Sequence, residues 1–382
     1  MDLTLSDAEL AFRDELVAWT TTAKVPEGLV DYGSMPTTEQ EGLARQWQRE
    51  LYDGGWAGMS WPKEFGGRGA SLVEQAIYAE EMARLGLPRG SNITSLELAG
   101  PMIYQFGTES QKERLLPPIL TGEHLWVQMF TEPGAGSDLA GLSSRAVADG
   151  DGWRVTGQKI WSSGGHYADY GLLLARTGGP GHRGISCFLL PMDREGVRAN
   201  SIEQLNHEKK FSEIFMDEVR LEPEDLLGEL DGGWAVAMST LGRERLTLGS
   251  HVVTQRNALD ELAKLDGAID PRSHGVRFAE LYSRVDLLRL TWFRLLTSGM
   301  PISDPRASIL KMVASELDRL IPLLSQSVRG PEFVTDDPEF SDDLLVSLMR
   351  TIAGGTTEIQ KNIVAERVLG LPREARPATG QN

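Results

Sequence analysis

Thr131–Asp138 reads TEPGAGSD, and with its flanks the run is FTEPGAGSDLAG over Phe130–Gly141. Gly134-x-Gly136 invites a dinucleotide-fold reading, in which a glycine turn leads from a strand into a crossover helix. The run fails that pattern. The third glycine position falls on Leu139, no crossover helix follows, and the neighbourhood is rich in strand formers. Two readings remain for the run itself. Its backbone N–H groups, with the hydroxyls of Thr131 and Ser137, can gather around a phosphate or the edge of an electron-rich ring. Alternatively, it is a tight turn of a β-barrel that holds no ligand.

The chain on either side divides by period. From about Leu125 to Gly233 short β-rich runs recur at Trp153–Val155, Leu172–Ala175, Ile185–Leu190 and Ile214–Leu221. Turn signals such as Asp149-Gly150-Asp151-Gly152 and Gly178-Gly179-Pro180-Gly181 bound them, which predicts an antiparallel barrel or sandwich. The first stretch, 1–124, is helical. Ala8, Phe12, Leu16 and Trp19 recur at helical spacing after Ser6. Capping-box spacing appears at Thr37 with Gln40, Ser71 with Glu74 and Thr108 with Gln111. After Gly232-Gly233 the chain turns helical again, over roughly Trp234–Leu265, Val276–Ser298, Asp304–Val328, Asp342–Ile352 and Thr357–Leu369. Long helices with short connections predict a four-helix bundle, with Pro322 kinking the third or marking its end. The expected class is α+β and multi-domain, with helical 1–124, β 125–233 and helical 234–382.

Composition narrows the function classes. The 382 residues are 41% hydrophobic, and 55 acidic against 38 basic residues give a formal charge of -17. Nucleic acid or an anionic membrane as main partner would call for clustered Lys and Arg, so neither is expected. Cys187 is the one cysteine and lies inside Ile185–Leu190, which reads as a buried strand thiol in a reducing compartment. Six scattered histidines carry no metal-ligand spacing. The start, MDLTLSDAEL, has neither a basic nor an apolar leader region, and a cytoplasmic location is expected.

A second segment, Lys159–Gly165 (KIWSSGG), sets an aromatic plane beside two hydroxyls. Such a tryptophan can stack on a flat heterocycle while the hydroxyls reach its polar edge; it can equally be a core tryptophan with satisfied serines. TEPGAGSD followed by KIWSSGG resembles the flavin-binding pair of the acyl-CoA dehydrogenase family. WPKEFGG in the N-terminal part and GGTTEIQKNIVAERVLGLPRE near the end are similar to that family as well. The resemblance spans almost the whole chain and implies an FAD-dependent acyl-CoA dehydrogenase. It implies that Phe130 and Thr131 bind the pyrimidine side of the flavin and that Ser137 approaches the pyrophosphate and the substrate. Trp161 would pack along the ring, Ser162 and Ser163 would supply hydroxyls, Ser163 near N5. Thr356 and Glu358 would meet the adenine half.

The implied reaction removes an α-proton from an acyl thioester while a hydride leaves the β-carbon for the flavin. A carboxylate base is needed on the face opposite the flavin. Many family members place that glutamate just before a Gly-Thr pair near the C-terminus, where this chain has Gly354-Gly355-Thr356. Another branch carries it in a Leu-x-x-Glu-Arg context on the first bundle helix, which matches Leu241-Gly242-Arg243-Glu244-Arg245 here. The resemblance therefore assigns Glu244 as base and Arg245 as its charge balance, with Gly242 and Arg243 on the substrate side. The bland alternative is an intrahelical ion pair.

Two departures bear on assembly. The family's Arg-x-x-Phe-Gly element, which reaches a neighbouring subunit's FAD, is missing from Asp260–Val276, and the turn before the fourth bundle helix is altered to Val328-Arg329-Gly330-Pro331-Glu332. Arg272 or Arg277, or a different partner chain, would then complete the cofactor site. Expected partners are acyl-CoA or a carrier-tethered acyl group, electron-transfer flavoprotein as acceptor, and a homo- or hetero-oligomer, dimer or tetramer. Fatty acid or steroid side-chain degradation is the expected setting. The competing functions are an acyl-CoA oxidase and a non-catalytic subunit of a heteromer.

Overall fold

The computed structural model describes residues 4–30, 36–265, 271–298, 304–331 and 338–373. Its contacts divide the chain into two compact units, 1–244 and 245–382.

The first unit begins with helices α1 (Asp7–Thr20), α2 (Glu41–Asp53), α3 (Leu72–Arg84), α4 (Gly100–Phe106) and α5 (Glu109–Thr121). A π-helical turn, Thr94–Ala99, leads directly into α4. Ser6 caps α1 and pairs reciprocally with Glu9, and the capping boxes expected at Ser71 with Glu74 and Thr108 with Gln111 form. Each satisfies backbone N–H groups that the first helical turn leaves without partners. The Thr37–Gln40 box does not form. Gln40 is already helical and caps nothing; its amide instead donates to the Gly28 carbonyl at 3.2 Å and accepts from the Val30 N–H. The loop before α2 has taken the side chain that the cap required.

Eight strands follow: β1 (Trp126–Met129), β2 (Arg145–Asp149), β3 (Gly152–Ser163), β4 (Tyr170–Arg176), β5 (Ile185–Pro191), β6 (Val197–Ile202), β7 (Phe211–Leu221) and β8 (Leu226–Leu227). Their order is β6-β7-β3-β2-β4-β5-β8, with β1 paired to β4. The pairings are antiparallel apart from β1 and one position of β2, which run parallel to β4. Strand β4 explains its own unbroken apolar run. Leu172 and Leu174 belong to the core cluster that includes Trp47, Trp56 and Trp61 of the helical layer, while Leu173 and Ala175 belong to a second cluster with Val155, Phe188 and Ile214. A strand buried on both faces has no polar side to alternate with. Cys187, on the neighbouring β5, is fully buried, and burial pushes its thiol pKa up. Helix α6 (Gly233–Thr247) reaches the division between the units at Glu244.

The second unit holds α7 (His251–Lys264), α8 (Val276–Leu296), α9 (Ala307–Arg329), α10 (Pro338–Arg350) and the short α11 (Thr357–Ile363). The single long helix expected over 234–265 is instead α6, a 3₁₀ turn at Leu248–Ser250, and α7. Pro322 neither ends nor splits α9, which continues past it to Arg329. Among the described residues no helix is long and apolar enough to cross a membrane.

Candidate active site

Strand β3 positions the aromatic group. Up to Lys159 its inward positions alternate regularly, and Val155 and Lys159 are both fully buried. Continued alternation would bury Trp161. Between Lys159 and Ser162, however, the register against β7 shifts, and Trp161 adopts φ 58°. A β-bulge inserts one residue and reverses which face follows. Ser162 is therefore turned inward at 1% exposure, and Trp161 is left 56% exposed, edge-on to Phe211 at 6.3 Å. Left-handed backbone costs an L-residue about 1–2 kcal/mol, a strain that the pairing around the bulge sustains. The serines then separate: Ser163 is half-buried at the rim, whereas Ser162 faces the interior of the β layer. Of the two hydroxyls read from KIWSSGG, Ser163 is the one beside the exposed indole; the inward turn after the bulge removes Ser162.

The glycine-rich segment lies against the same stretch of β3. The Ile160 N–H donates to the Thr131 carbonyl at 2.9 Å, and Lys159 Nζ donates to the Phe130 carbonyl at 3.2 Å. Phe130 is buried, Thr131 is half-buried, and Gly134, Gly136 and Ser137 are exposed. Glu132 and Ala135 exchange backbone hydrogen bonds of 3.0 and 3.1 Å, closing the turn. Neither Gly134 nor Gly136 has positive φ, and a Cβ on either would meet nothing within 4 Å. Neither packing nor conformation demands glycine there. What glycine leaves is an uncovered backbone face beside Ser137. An exposed indole on β3, the strand whose Ile160 N–H pairs with the Thr131 carbonyl of this segment, fits a flat cofactor with a phosphate arm, which is the group the resemblance implies.

Sequence reasoning missed the pair beneath this surface. Glu132 accepts from Lys159 Nζ at 2.8 Å, Ser144 N–H at 2.9 Å, Ser143 N–H at 2.6 Å and Ser143 Oγ at 2.7 Å. Burial alone would push the Glu132 pKa up, but the Lys159 charge and the serine donors hold it down at about 2. Burial lowers Lys159 to about 8, against the opposing pull of Glu132. The signal was present in the sequence as a lysine in phase with Val155 on the inward side of β3.

On α6, Ser239 donates to Gln105 at 3.2 Å, and one turn later Arg243 Nη2 donates to Tyr104 Oη at 2.7 Å. The Tyr104 ring stacks on Phe65 and meets Trp61 edge-on. Gly242 is buried, and Arg243, Glu244 and Arg245 are half-buried. In the second unit, the Thr356 hydroxyl accepts from Ile359 N–H and so caps α11. Glu358 stands in the first turn, its pKa lowered by a backbone hydrogen bond and by the Thr356 hydroxyl. Both residues thus have local roles at a helix start. Gly354 and Gly355 take φ 67° and 92°, and the Gln360 amide donates to both carbonyls. Arg272 and Arg277 are exposed; part of the Asp260–Val276 stretch, and Glu332, lie outside the described residues.

Three family models match the chain in order: the acyl-CoA dehydrogenase N-terminal domain over residues 7–123, the middle domain over 128–219 and the C-terminal domain over 231–369. Acyl-CoA dehydrogenase IpdE1 of Mycobacterium tuberculosis is 37% identical over 343 residues, 87% of this chain and 89% of that protein. FadE26 of the same organism is 30% identical over 98% of this chain and 100% of its own length. Among solved structures, the ChsE4–ChsE5 complex from Mycobacterium tuberculosis gives a TM-score of 0.84 at 29% identity, over 98% of this chain and 100% of the matched one. The Tcur3481–Tcur3483 steroid ACAD gives 0.82 at 28% identity, with the same coverage. With a relative this similar over most of both chains, and with the three domain models in order, the chain belongs to the acyl-CoA dehydrogenase family.

Proposed function

We propose that this chain is an FAD-dependent acyl-CoA dehydrogenase that oxidises an acyl thioester to its 2-enoyl form, with Glu244 as the base. The observation that carries the reading is the indole of Trp161, exposed on a left-handed bulge next to Ser163, on the strand that hydrogen-bonds the glycine-rich segment through Ile160 and Thr131. FAD, when bound, would supply the hydride acceptor. Trp161 would stack on its ring, Phe130 and Thr131 would present backbone groups to the pyrimidine edge, and Ser163 would donate a hydroxyl. Ser137 would face the pyrophosphate, with Thr356 and Glu358 toward the adenine half. Glu244 would take the α-proton onto a carboxylate oxygen, with Arg245 balancing its charge. Gly242 would leave room for the thioester, and Arg243, already held by Tyr104, would line the acyl side.

The substrate class is acyl-CoA, or an acyl group on a carrier protein, and the acceptor is an electron-transfer flavoprotein. The chain would act in an oligomer in the cytoplasm. A heteromer is favoured by one observation, the missing Arg-x-x-Phe-Gly element, and two of the similar solved structures are named as two-chain assemblies. The test is anaerobic addition of acyl-CoA to the purified yellow protein. Bleaching in the wild type and none in Glu244→Gln, with FAD still bound, supports the reading. Wild-type bleaching rates in Glu244→Gln refute the base. Rapid peroxide formation in air would instead make the chain an oxidase.

A further inference from the structure

The buried pair Glu132–Lys159 belongs to neither the cofactor surface nor the substrate side. Lys159 is 0% and Glu132 3% exposed at the side chain, so neither touches a ligand. Yet the two side chains join three segments. Glu132 holds the backbone of Ser143 and Ser144, Lys159 holds the Phe130 carbonyl, and the two hold each other at 2.8 Å. Those segments flank Phe130, Thr131 and Ser137 on one side and Trp161 and Ser163 on the other. Lys159 is also the last residue in register before the bulge that throws Trp161 outward.

We propose that Glu132 and Lys159 are positioning residues: a buried charge pair that fixes the spacing between the glycine-rich segment and the Trp161 bulge, and through it the affinity and environment of bound flavin. The inference rests on the flavin reading above. Stability alone does not account for the pair, because a buried ion pair is about as stabilising as an apolar pair of similar volume. What the charges add is direction. Both Glu132 oxygens are saturated by donors, and each donor comes from a fixed backbone or side-chain position, so the segments have one relative placement. An apolar pair would fill the space without setting it. The low pKa of Glu132, held down by Lys159 and the serines against its burial, agrees with a permanently ionised anchor.

The test uses the chain in the assembly in which it purifies, with FAD removed and then titrated back. Glu132→Gln, Lys159→Met and the double Glu132→Met/Lys159→Met are compared by thermal midpoint without flavin, FAD dissociation constant, and visible circular dichroism of the bound flavin. Each single variant is expected to lower the midpoint and weaken FAD at least tenfold. The double variant is expected to recover the midpoint but to keep the tenfold weaker binding and an altered flavin spectrum. Recovery of midpoint, affinity and spectrum together means that the pair is structural only, and overturns the proposal. Should the double variant not fold, Ser143→Ala decides: a severalfold weaker FAD affinity at an unchanged midpoint supports the proposal, and unchanged affinity overturns it. A wild-type chain that binds no FAD overturns the flavin reading and this inference with it, and is told apart because no substitution is involved.

Discussion

Trp161 offers the sharpest test of the idea that backbone strain serves the site. The residue has φ 58° and leaves 56% of its surface exposed, and its aromatic contact is the edge of Phe211 at 6.3 Å. Replacement by glycine relieves about 1–2 kcal/mol of left-handed strain, and glycine's extra freedom in the unfolded chain gives back about 0.5–1 kcal/mol. Replacement by alanine removes the same indole but keeps the strain. Both variants lose the same ring contact, worth roughly 0.5–1.5 kcal/mol. The difference between them therefore isolates the backbone: Trp161→Gly should be more stable than Trp161→Ala by about 0.5–1 kcal/mol, a gap of roughly 1 °C in melting temperature for a chain of this size. The assay is thermal unfolding of the flavin-stripped protein, followed by FAD titration. FAD affinity should fall at least tenfold in both, because each lacks the stacking plane. Equal melting temperatures for the two variants, or an alanine variant more stable than the glycine one, would refute the strain argument. Undiminished FAD affinity in both would refute the stacking role and leave the strain without a function.

Further outcomes follow from particular contacts. The folded pKa of Glu132, about 2, lies below its ordinary 4.5, so its contribution is present above about pH 4.5 and is lost as pH falls toward 2. The difference corresponds to roughly 3 kcal/mol, and denaturant titrations between pH 5 and pH 2.5 should show Glu132→Gln with a visibly shallower loss than the wild type. A Cβ on Gly100 would come within 1.9 Å of Trp61 Cζ2, and Trp61 is fully buried with its Nε1 donating to Leu96. Gly100→Ala should therefore cost about 1–3 kcal/mol by overpacking, read as a lower urea midpoint. Arg243→Met should raise KM for acyl-CoA about tenfold with little change in kcat, the scale of losing a charged hydrogen bond; steady-state kinetics that show a fall in kcat alone would remove Arg243 from the substrate side.

Much of the fold was legible where burial leaves a one-dimensional trace. The run Ile185–Leu190 became β5, Leu172–Ala175 became the centre of β4, and two of the three capping-box spacings, at Ser71 and Thr108, closed as caps. What escaped was set by tertiary contacts. Strand β3 extends to Ser163 although only Trp153–Val155 reads as strand, because a buried lysine and a bulge break the alternation in its second half. Strand β6 (VRANSI) runs with both faces largely open, and its composition is that of a loop. The helix expected through 234–265 breaks at Leu248–Ser250, where a Cβ on Gly249 would lie 2.1 Å from Trp292 Cδ1. Only the partner 43 positions on makes that glycine necessary. In the site, the motifs announced themselves, but the separation of Ser162 from Ser163 depends on one left-handed residue that no pattern encodes.

The same conformational logic bears on where the base belongs. Gly354 stands where the family resemblance would place a glutamate, and it takes φ 67°, followed by Gly355 at φ 92°. The Gln360 side chain donates to both carbonyls and so locks the pair of left-handed residues in place. A glutamate at 354 would meet the penalty of about 1–2 kcal/mol that Trp161 bears, next to a second left-handed position and with Gln360 already committed. This turn is built for two glycines, not for a carboxylate aimed at a substrate. With glycine at 354 this turn supplies no carboxylate, so the dehydrogenase reading takes its base from another element, and Leu241–Arg245 on α6 matches the alternative pattern. Restoring the common arrangement by Glu244→Gly/Gly354→Glu should therefore fail to restore flavin reduction and should lower the thermal midpoint. Bleaching by that double variant at a rate near the wild type's would show that the turn tolerates the carboxylate, and the conformational case for Glu244 would fall with it.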